Sequence, residues 1–304
     1  MKKQLIVPSL SAVFLLGTSF SFGLRSDHFA LIALVNSLYF ISDSTRRFIT
    51  GFSIFVVYWI LYDSMKAVPN YTFTHVDIEG LYLLEKKLFG ISTATGVLTP
   101  NEFFLLHQNK ILDLVSGFFY LCWIPVPLAF AFYLFFNYKK LFLRFSFAFF
   151  IINLVGFVVY YSHPAAPPWY VQQYGFVFDP SVKTSAAGLL RSDSILGFPL
   201  FASIYTKGSN VFGAMPSLHA AYLFACFYYG LKQPKRWLKV ALFIIMTGIW
   251  FSAIYLSHHY ILDVLAGIVC GITGILILEK FLIKRTAVGF LMRKMEERIS
   301  EKIN

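Results

Sequence analysis

The chain has 304 residues, 58% of them hydrophobic and only 13% charged, with 35 phenylalanines and a formal net charge of +11. Soluble domains average about 25% charged residues, so this composition argues against a soluble enzyme. The basic residues fall in short loops and a tail, a pattern that orients a protein in a bilayer rather than one that binds nucleic acid.

A helix needs about 20 apolar residues to cross the hydrocarbon core. The sequence predicts eight spans, at 4–23, 27–43, 48–66, 113–136, 142–162, 212–231, 237–256 and 260–282, or six if the first two segments form a hairpin that does not cross. Lys2 and Lys3 ahead of the first apolar run resemble a signal peptide. No A-x-A pattern follows and further apolar segments come at once, so the run reads as a retained span. In the second segment Asn36 and Asp43 are costly against lipid and should face protein or the interface. Cys122, Cys226 and Cys270 sit in apolar runs without metal-ligand spacing and read as packing residues.

Between the third and fourth spans, "VDIEGLYLLEKKLFG" (76–90) and "PNEFFLLHQNKI" (100–111) carry apolar residues at helical spacing. They predict amphipathic helices lying on the membrane interface, or else a small folded cap. The second long connection, 163–210, opens with "HPAAPPWY" (163–170), whose prolines exclude regular helix, and Trp169 and Tyr170 suit the headgroup zone.

Lys139, Lys140 and Arg144 occupy one loop, and Lys232, Lys235, Arg236 and Lys239 another. The tail after Leu282 holds Lys284, Arg285, Arg293, Lys294, Arg298 and Lys302, and Arg46 and Arg47 precede the third span. With eight spans, all of these and the N-terminal lysines share one side, which the positive-inside rule makes cytoplasmic. The long connections and the turn at 257–259 then lie outside.

Ionisable residues concentrate in "MPSLHAAY" (215–222) and "SHHYILDV" (257–264). Pro216 suits the first turn of a helix, which would place Ser217 and His219 where free N–H groups favour an anion. His259 and Asp263 are four apart and share a helix face. A carboxylate there can hold the imidazole tautomer and sharpen the other nitrogen as base or nucleophile. By the predicted topology, His219, His259 and Asp263 reach one bilayer depth. A metal site built from His258, His259 and Asp263 is disfavoured, because adjacent helical residues point about 100° apart.

"GAMPSLHAAY" and "SHHYILDVLAG" resemble the second and third motifs of the type 2 phosphatidic acid phosphatase superfamily, and most closely its inositol phosphorylceramide and sphingomyelin synthase branch. "HPAAPPWY" and "LYLLEKKLFG" resemble further elements of that branch, so the likeness covers about residues 76–282. It implies an all-α helical bundle whose core helices hold this site and which uses no metal or other cofactor. The apolar runs make that bundle polytopic, with six to eight transmembrane helices, and with the loop charges they divide the chain into N-terminal spans (1–66), an outer amphipathic segment (67–112), a catalytic core (113–283) and a basic cytoplasmic tail (284–304). The resemblance makes His259 the nucleophile, Asp263 its orienting acid, His219 the general acid and Ser217 a phosphate-binding hydroxyl. His258, Pro168, Trp169 and Arg191 join Ser217 as expected substrate contacts.

The chain departs from the phosphatase pattern. It has no Arg-Pro pair, and Ser252 and Ala253 stand where that pattern has Ser-Arg. Arg191 and Lys183 are the outer-loop cations available to replace the lost clamps. A phosphodiester carries less charge than a monoester and needs fewer cations. The expectation is therefore transfer of a phospho-headgroup, such as phosphoinositol, from a phospholipid donor to a lipid hydroxyl. A lipid phosphate phosphatase and a transporter with a His/Asp proton relay are the alternatives. The expected setting is a bacterial inner membrane with the site facing outward. The sequence carries no signal of oligomeric state.

Overall fold

A computed structural model describes residues 5–21, 23–205, 210–284 and 286–300. Lys2, Lys3, Arg285 and Lys302 of the orientation pattern lie outside the described residues. Helices α1 (Ile6–Ser21) and α2 (Ser26–Ile41) form a hairpin ahead of α3 (Asp43–Ser64). The first outer segment holds α4 (Glu79–Phe89), the antiparallel pair β1 (Ile91–Thr93) and β2 (Gly96–Leu98), and α5 (Pro100–Leu106). Next come α6 (Lys110–Leu121), α7 (Pro125–Asn137) and α8 (Lys139–Ser162). The second outer segment holds α9 (Pro168–Tyr174), α10 (Leu189–Leu196) and α11 (Leu200–Tyr205). The chain then forms α12 (Leu218–Gly230), α13 (Arg236–Tyr255) and α14 (Ile261–Leu276), which a π turn prolongs to Leu282, and ends on α15 (Ala287–Ser300).

The helices run between two ends of the bundle, and α6 and α7 form one bent pair. Ion pairs show which termini meet. Arg25, between α1 and α2, binds Asp63 at the end of α3 at 2.6 Å. At the opposite end Arg144 of α8 pairs with Glu279, and Lys232 after α12 lies 3.6 Å from the same carboxylate. Asp27, His28 and Asp63 converge at the first end, but Arg25 binds both carboxylates and His28 Nε2 is 3.0 Å from Asp63. The cluster thus has its cation and latches the α1–α2 hairpin to α3.

By length and composition α8, α13 and Ile261–Leu282 can each cross a membrane, and α6 with α7 make a fourth crossing bent by 42°. The expected straight span at 113–136 is thereby corrected. Pro125 and Pro127 cannot donate to the preceding turn, so the helix breaks and restarts at Pro125. The expected span at 212–231 also shortens, to the 13 residues of α12. Its leading residues run extended against Ala165, whose N–H donates to Phe212 O (3.0 Å) and whose carbonyl accepts from Ala214 N (3.3 Å). Helices α1 and α2 have 16 residues each, about 24 Å at 1.5 Å per residue. Asn36 is paired as expected, donating to Ser11 Oγ at 2.8 Å.

The outward faces are apolar. Phe132 and Phe136 of α7, Val240, Phe243 and Ile244 of α13, and Val269 of α14 are all exposed. Exposed apolar area on that scale marks a lipid-facing surface. Inside, Phe52 of α3, Phe135 of α7 and Phe142 of α8 interlock with ring centroids 5.1–5.6 Å apart. Such offset and edge contacts hold helices together where lipid removes the hydrophobic driving force.

Two expectations for "HPAAPPWY" are corrected. Pro168 opens α9 at its first turn, where its missing N–H costs nothing. Trp169 and Tyr170 are buried against Val76, Ile78 and Phe212 rather than set among headgroups.

Candidate active site

The site forms where α12 and α14 approach most closely. A Cβ on Gly267 would lie 2.2 Å from the Ser217 carbonyl oxygen, so only glycine lets the two backbones meet there. The contact is locked by Ser217 N donating to Asp263 O at 2.9 Å. Ser217 is the N-cap of α12, and its Oγ accepts from Ala220 N at 3.4 Å. Pro216 therefore precedes the helix instead of opening it, and His219 falls in the first turn. Capping uses an oxygen lone pair, so the Ser217 hydroxyl proton is still available to a ligand.

His259 comes from the turn between α13 and α14. Its Nε2 lies 3.0 Å from His219 Nδ1, and its Nδ1 lies 3.5 Å from Asp263 Oδ2. Asp263 is fully buried, and the same oxygen accepts from Tyr260 N at 2.8 Å. One carboxylate thus caps α14 and faces the imidazole. Tyr120 of α6 places its hydroxyl 3.3 Å from His219 Nδ1, and Trp123 packs edge-on against the His219 ring. The imidazole of His259 therefore has one nitrogen toward an acid and the other toward a second imidazole. This is the layout of a nucleophile or base with a proton carrier beside it.

The other expected site residues fall around this centre. His258 stacks on Tyr120, with centroids 4.7 Å apart, and its Nε2 contacts Ala186 O at 3.1 Å. Burial, reinforced by His259, pushes the His258 pKa down to about 3, so the ring is neutral and donates to that carbonyl. Trp169 acts through its backbone, whose N–H donates to Ser257 O at 3.0 Å, while Gln172 donates to Ser257 Oγ at 3.1 Å. Ser257 has a φ of 58°, a left-handed conformation costing about 1–2 kcal/mol in a non-glycine residue, and α9 holds it. Pro168 starts the helix that makes this brace. Arg191 is bound to Asp113 at 2.7 Å and lies over the Tyr255 ring. Among the described residues no hydrogen bond joins it to the histidines. Lys183 is exposed.

Two further residues of the site were not among the expected ones, although Glu85 lies within the quoted "LYLLEKKLFG" stretch. Glu85 of α4 is buried and accepts from Ile261 N (2.9 Å) and Leu262 N (3.1 Å), the free N–H groups of α14. Burial pushes its carboxyl up, and those two donors pull it back. Asn101 of α5 donates to both Ile254 O (2.8 Å) and His259 O (2.9 Å), tying the end of α13 to the His259 turn. The available signal for Glu85 was its place four residues after Leu81 on the buried face of α4.

A cavity of about 520 Å³ adjoins His219. Its walls are Phe55, Tyr58 and Tyr62 of α3, Trp123 and Pro127 at the α6–α7 bend, and Tyr222 of α12. Its lining is mostly apolar and aromatic, with Thr184, Asn210 and the tyrosine hydroxyls as its polar groups, and it is large enough for a lipid chain.

A family model described as the PAP2 superfamily matches residues 88–277. Over 287 residues the chain is 45% identical to the phosphoinositol dihydroceramide synthase of Bacteroides thetaiotaomicron, a match covering 93% of each chain. It is 34% identical over 137 residues to the inositol phosphorylceramide synthase of Candida albicans, covering 42% of this chain and 27% of that one. It is 36% identical over 122 residues to the inositol phosphorylceramide synthase catalytic subunit AUR1 of Saccharomyces cerevisiae, covering 38% and 29%. No solved structure gives a significant match.

Proposed function

The chain belongs to the PAP2 superfamily, and on that premise we propose that it moves a phosphoinositol headgroup from a glycerophospholipid to the primary hydroxyl of a ceramide-type lipid. The near-full-length likeness to a phosphoinositol dihydroceramide synthase carries the choice of substrates. The meeting of His219, His259 and Asp263 beside a lipid-sized cavity supports the chemistry.

In this reading Asp263 keeps the His259 proton on Nδ1 and leaves the Nε2 lone pair free. Nε2 attacks the phosphodiester phosphorus. The P–N bond forms as the P–O bond to diacylglycerol breaks, and His219 protonates the departing oxygen. In the second half, His219 takes the proton of the acceptor hydroxyl. That oxygen attacks phosphorus, the P–N bond breaks, and His259 is restored. Ser217, by its hydroxyl, and the first turn of α12 would hold the phosphoryl oxygens. The absent Arg-Pro pair, and Ala253 where the phosphatase pattern has a clamp arginine, suit a singly charged diester. The apolar cavity favours a lipid alcohol over water as acceptor, and hence a transferase over a phosphatase.

The basic loops lie at the bundle end opposite the histidines, so the site would face outward across a bacterial inner membrane. The exposed Leu83, Leu84 and Leu88 of α4 would then rest among headgroups on that side.

Purified protein in mixed micelles with phosphatidylinositol tests the proposal. With ceramide present, mass spectrometry should find phosphoinositol on ceramide and an equal amount of diacylglycerol. Free inositol phosphate released regardless of ceramide would make water the acceptor and overturn it.

Glu85 acts at one remove, by holding the turn that presents His259. Removing it as Glu85→Ala leaves the Ile261 and Leu262 N–H groups without their acceptor, at up to about 1–3 kcal/mol each. Turnover should fall about tenfold or more through kcat, with KM nearly unchanged, and Glu85→Gln should recover part of the loss by restoring one acceptor. A rise in KM alone would contradict this positioning role.

A further inference from the structure

Among the polar groups lining the cavity beside His219, Tyr58 and Tyr222 belong to a hydrogen-bonded set that the transfer chemistry does not use. Tyr222 lies three residues after His219 on the same face of α12. Its hydroxyl donates to Asn153 Oδ1 of α8 at 2.5 Å, and Tyr58 of α3 places its hydroxyl 3.2 Å from that of Tyr222. Asn153 is fully buried, and Tyr58 and Tyr222 both line the cavity. Three polar side chains from three helices thus form a rung at the wall of the cavity, one helical turn from the proton carrier.

The rung has a direction. Asn153 Nδ2 donates to Phe149 O at 2.8 Å, which leaves Oδ1 as the acceptor and fixes the proton of Tyr222 toward it. The Tyr222 oxygen can then only accept from Tyr58. With its proton given to Tyr222, the Tyr58 oxygen presents lone pairs to the cavity. A partner that satisfies it must bring a hydrogen-bond donor.

We infer that the Tyr58–Tyr222–Asn153 rung selects the acceptor lipid by accepting a hydrogen bond from a donor group next to its reacting hydroxyl. This rests on the proposed transferase reading and goes beyond it by assigning acceptor choice to residues. An N-acyl amino alcohol carries such donors, the amide N–H and the neighbouring secondary hydroxyl. The diacylglycerol released in the first half offers only its reacting hydroxyl, because its esters solely accept. The rung therefore favours the forward acceptor over return of the headgroup to the departing lipid. Tyr58 lies on α3, before the 88–277 region of the family match, so the N-terminal helices contribute to selectivity.

The test compares ceramide, N-methyl ceramide and 3-O-methyl ceramide as acceptors in phosphatidylinositol micelles, for wild type, Tyr58→Phe and Tyr222→Phe. Wild type should lose about tenfold in kcat/KM on whichever analogue lacks the donor that is read, consistent with loss of one buried hydrogen bond. In Tyr58→Phe the ratio of ceramide to that analogue should collapse to within about twofold, and Tyr222→Phe should weaken it as well. The ratio is independent of how much protein folds, so a poorly folded variant still reports. Wild type that transfers to ceramide but ignores both methylations, or a Tyr58→Phe protein that keeps the wild-type ratio, would overturn this inference alone. Wild type that transfers nothing to ceramide would bring down the transferase reading with it.

Discussion

His259→Ala should end transfer, lowering turnover by at least about 10⁴-fold, and should leave no headgroup bound to the protein. The expectation is sharp because the turn that carries His259 is held by its main chain. Ser257 O accepts from Trp169 N, His259 N donates to Ala253 O at 3.0 Å, and His259 O accepts from Asn101. Removing the imidazole leaves all three bonds in place, so the variant should fold and the loss should be chemical. Incubation with phosphatidylinositol labelled in its headgroup, without acceptor, should label wild type with an acid-sensitive bond and leave His259→Ala blank. His258→Ala supplies the contrast. That ring is neutral, stacked on Tyr120 and bound to Ala186 O. The variant should still label. Wild-type turnover in a folded His259→Ala protein would remove His259 from the mechanism.

What the sequence disclosed follows the range of the interactions. His259 and Asp263 are one helical turn apart, and the "PSLH" stretch brings its own cap, so both motifs state their geometry within a few residues. The longest apolar runs marked α8, α13 and the helix from Ile261 to Leu282 for the same reason. Contacts made across the fold left no such mark. Glu85 meets Ile261 and Leu262 across 176 and 177 positions, and Asn101 reaches His259 across 158. No local spacing links such residues. Asn153 did carry a signal, a polar group inside an apolar span, of the kind that pointed to Asn36. Proline was misjudged at both ends of its range. Pro168 and Pro125 open helices, and Pro216 stands outside the one it was expected to begin, because neighbouring main-chain bonds decide where each helix can start. Arg191, expected to meet phosphate, binds Asp113 through Nε across 78 positions, a pairing that no local spacing announces.

His219→Ala should be the next most damaging change, and its effect should depend on the leaving group. With phosphatidylinositol and ceramide, loss of general acid–base catalysis costs about 10²–10⁴-fold. The departing oxygen of diacylglycerol is a poor leaving group without a proton. A donor with a phenolic leaving group departs unaided, so the first half reaction should slow by less than about tenfold on that substrate. The second half still needs the ceramide proton removed. His219→Ala given the phenolic donor should therefore release about one phenol per enzyme in a burst and then stall, with the headgroup held on His259. Ceramide should not relieve the stall, whereas wild type should turn over steadily. Stopped-flow absorbance of the phenolate, with gel detection of the labelled protein, reads both halves. His219 lies 3.0 Å from His259 Nε2 and lines the cavity that would hold the acceptor, so one imidazole is placed to serve both proton transfers. Equal losses on the two donors would mean that His219 positions substrate and carries no proton, and Tyr120, whose hydroxyl is 3.3 Å from His219 Nδ1, would be the group to test in its place.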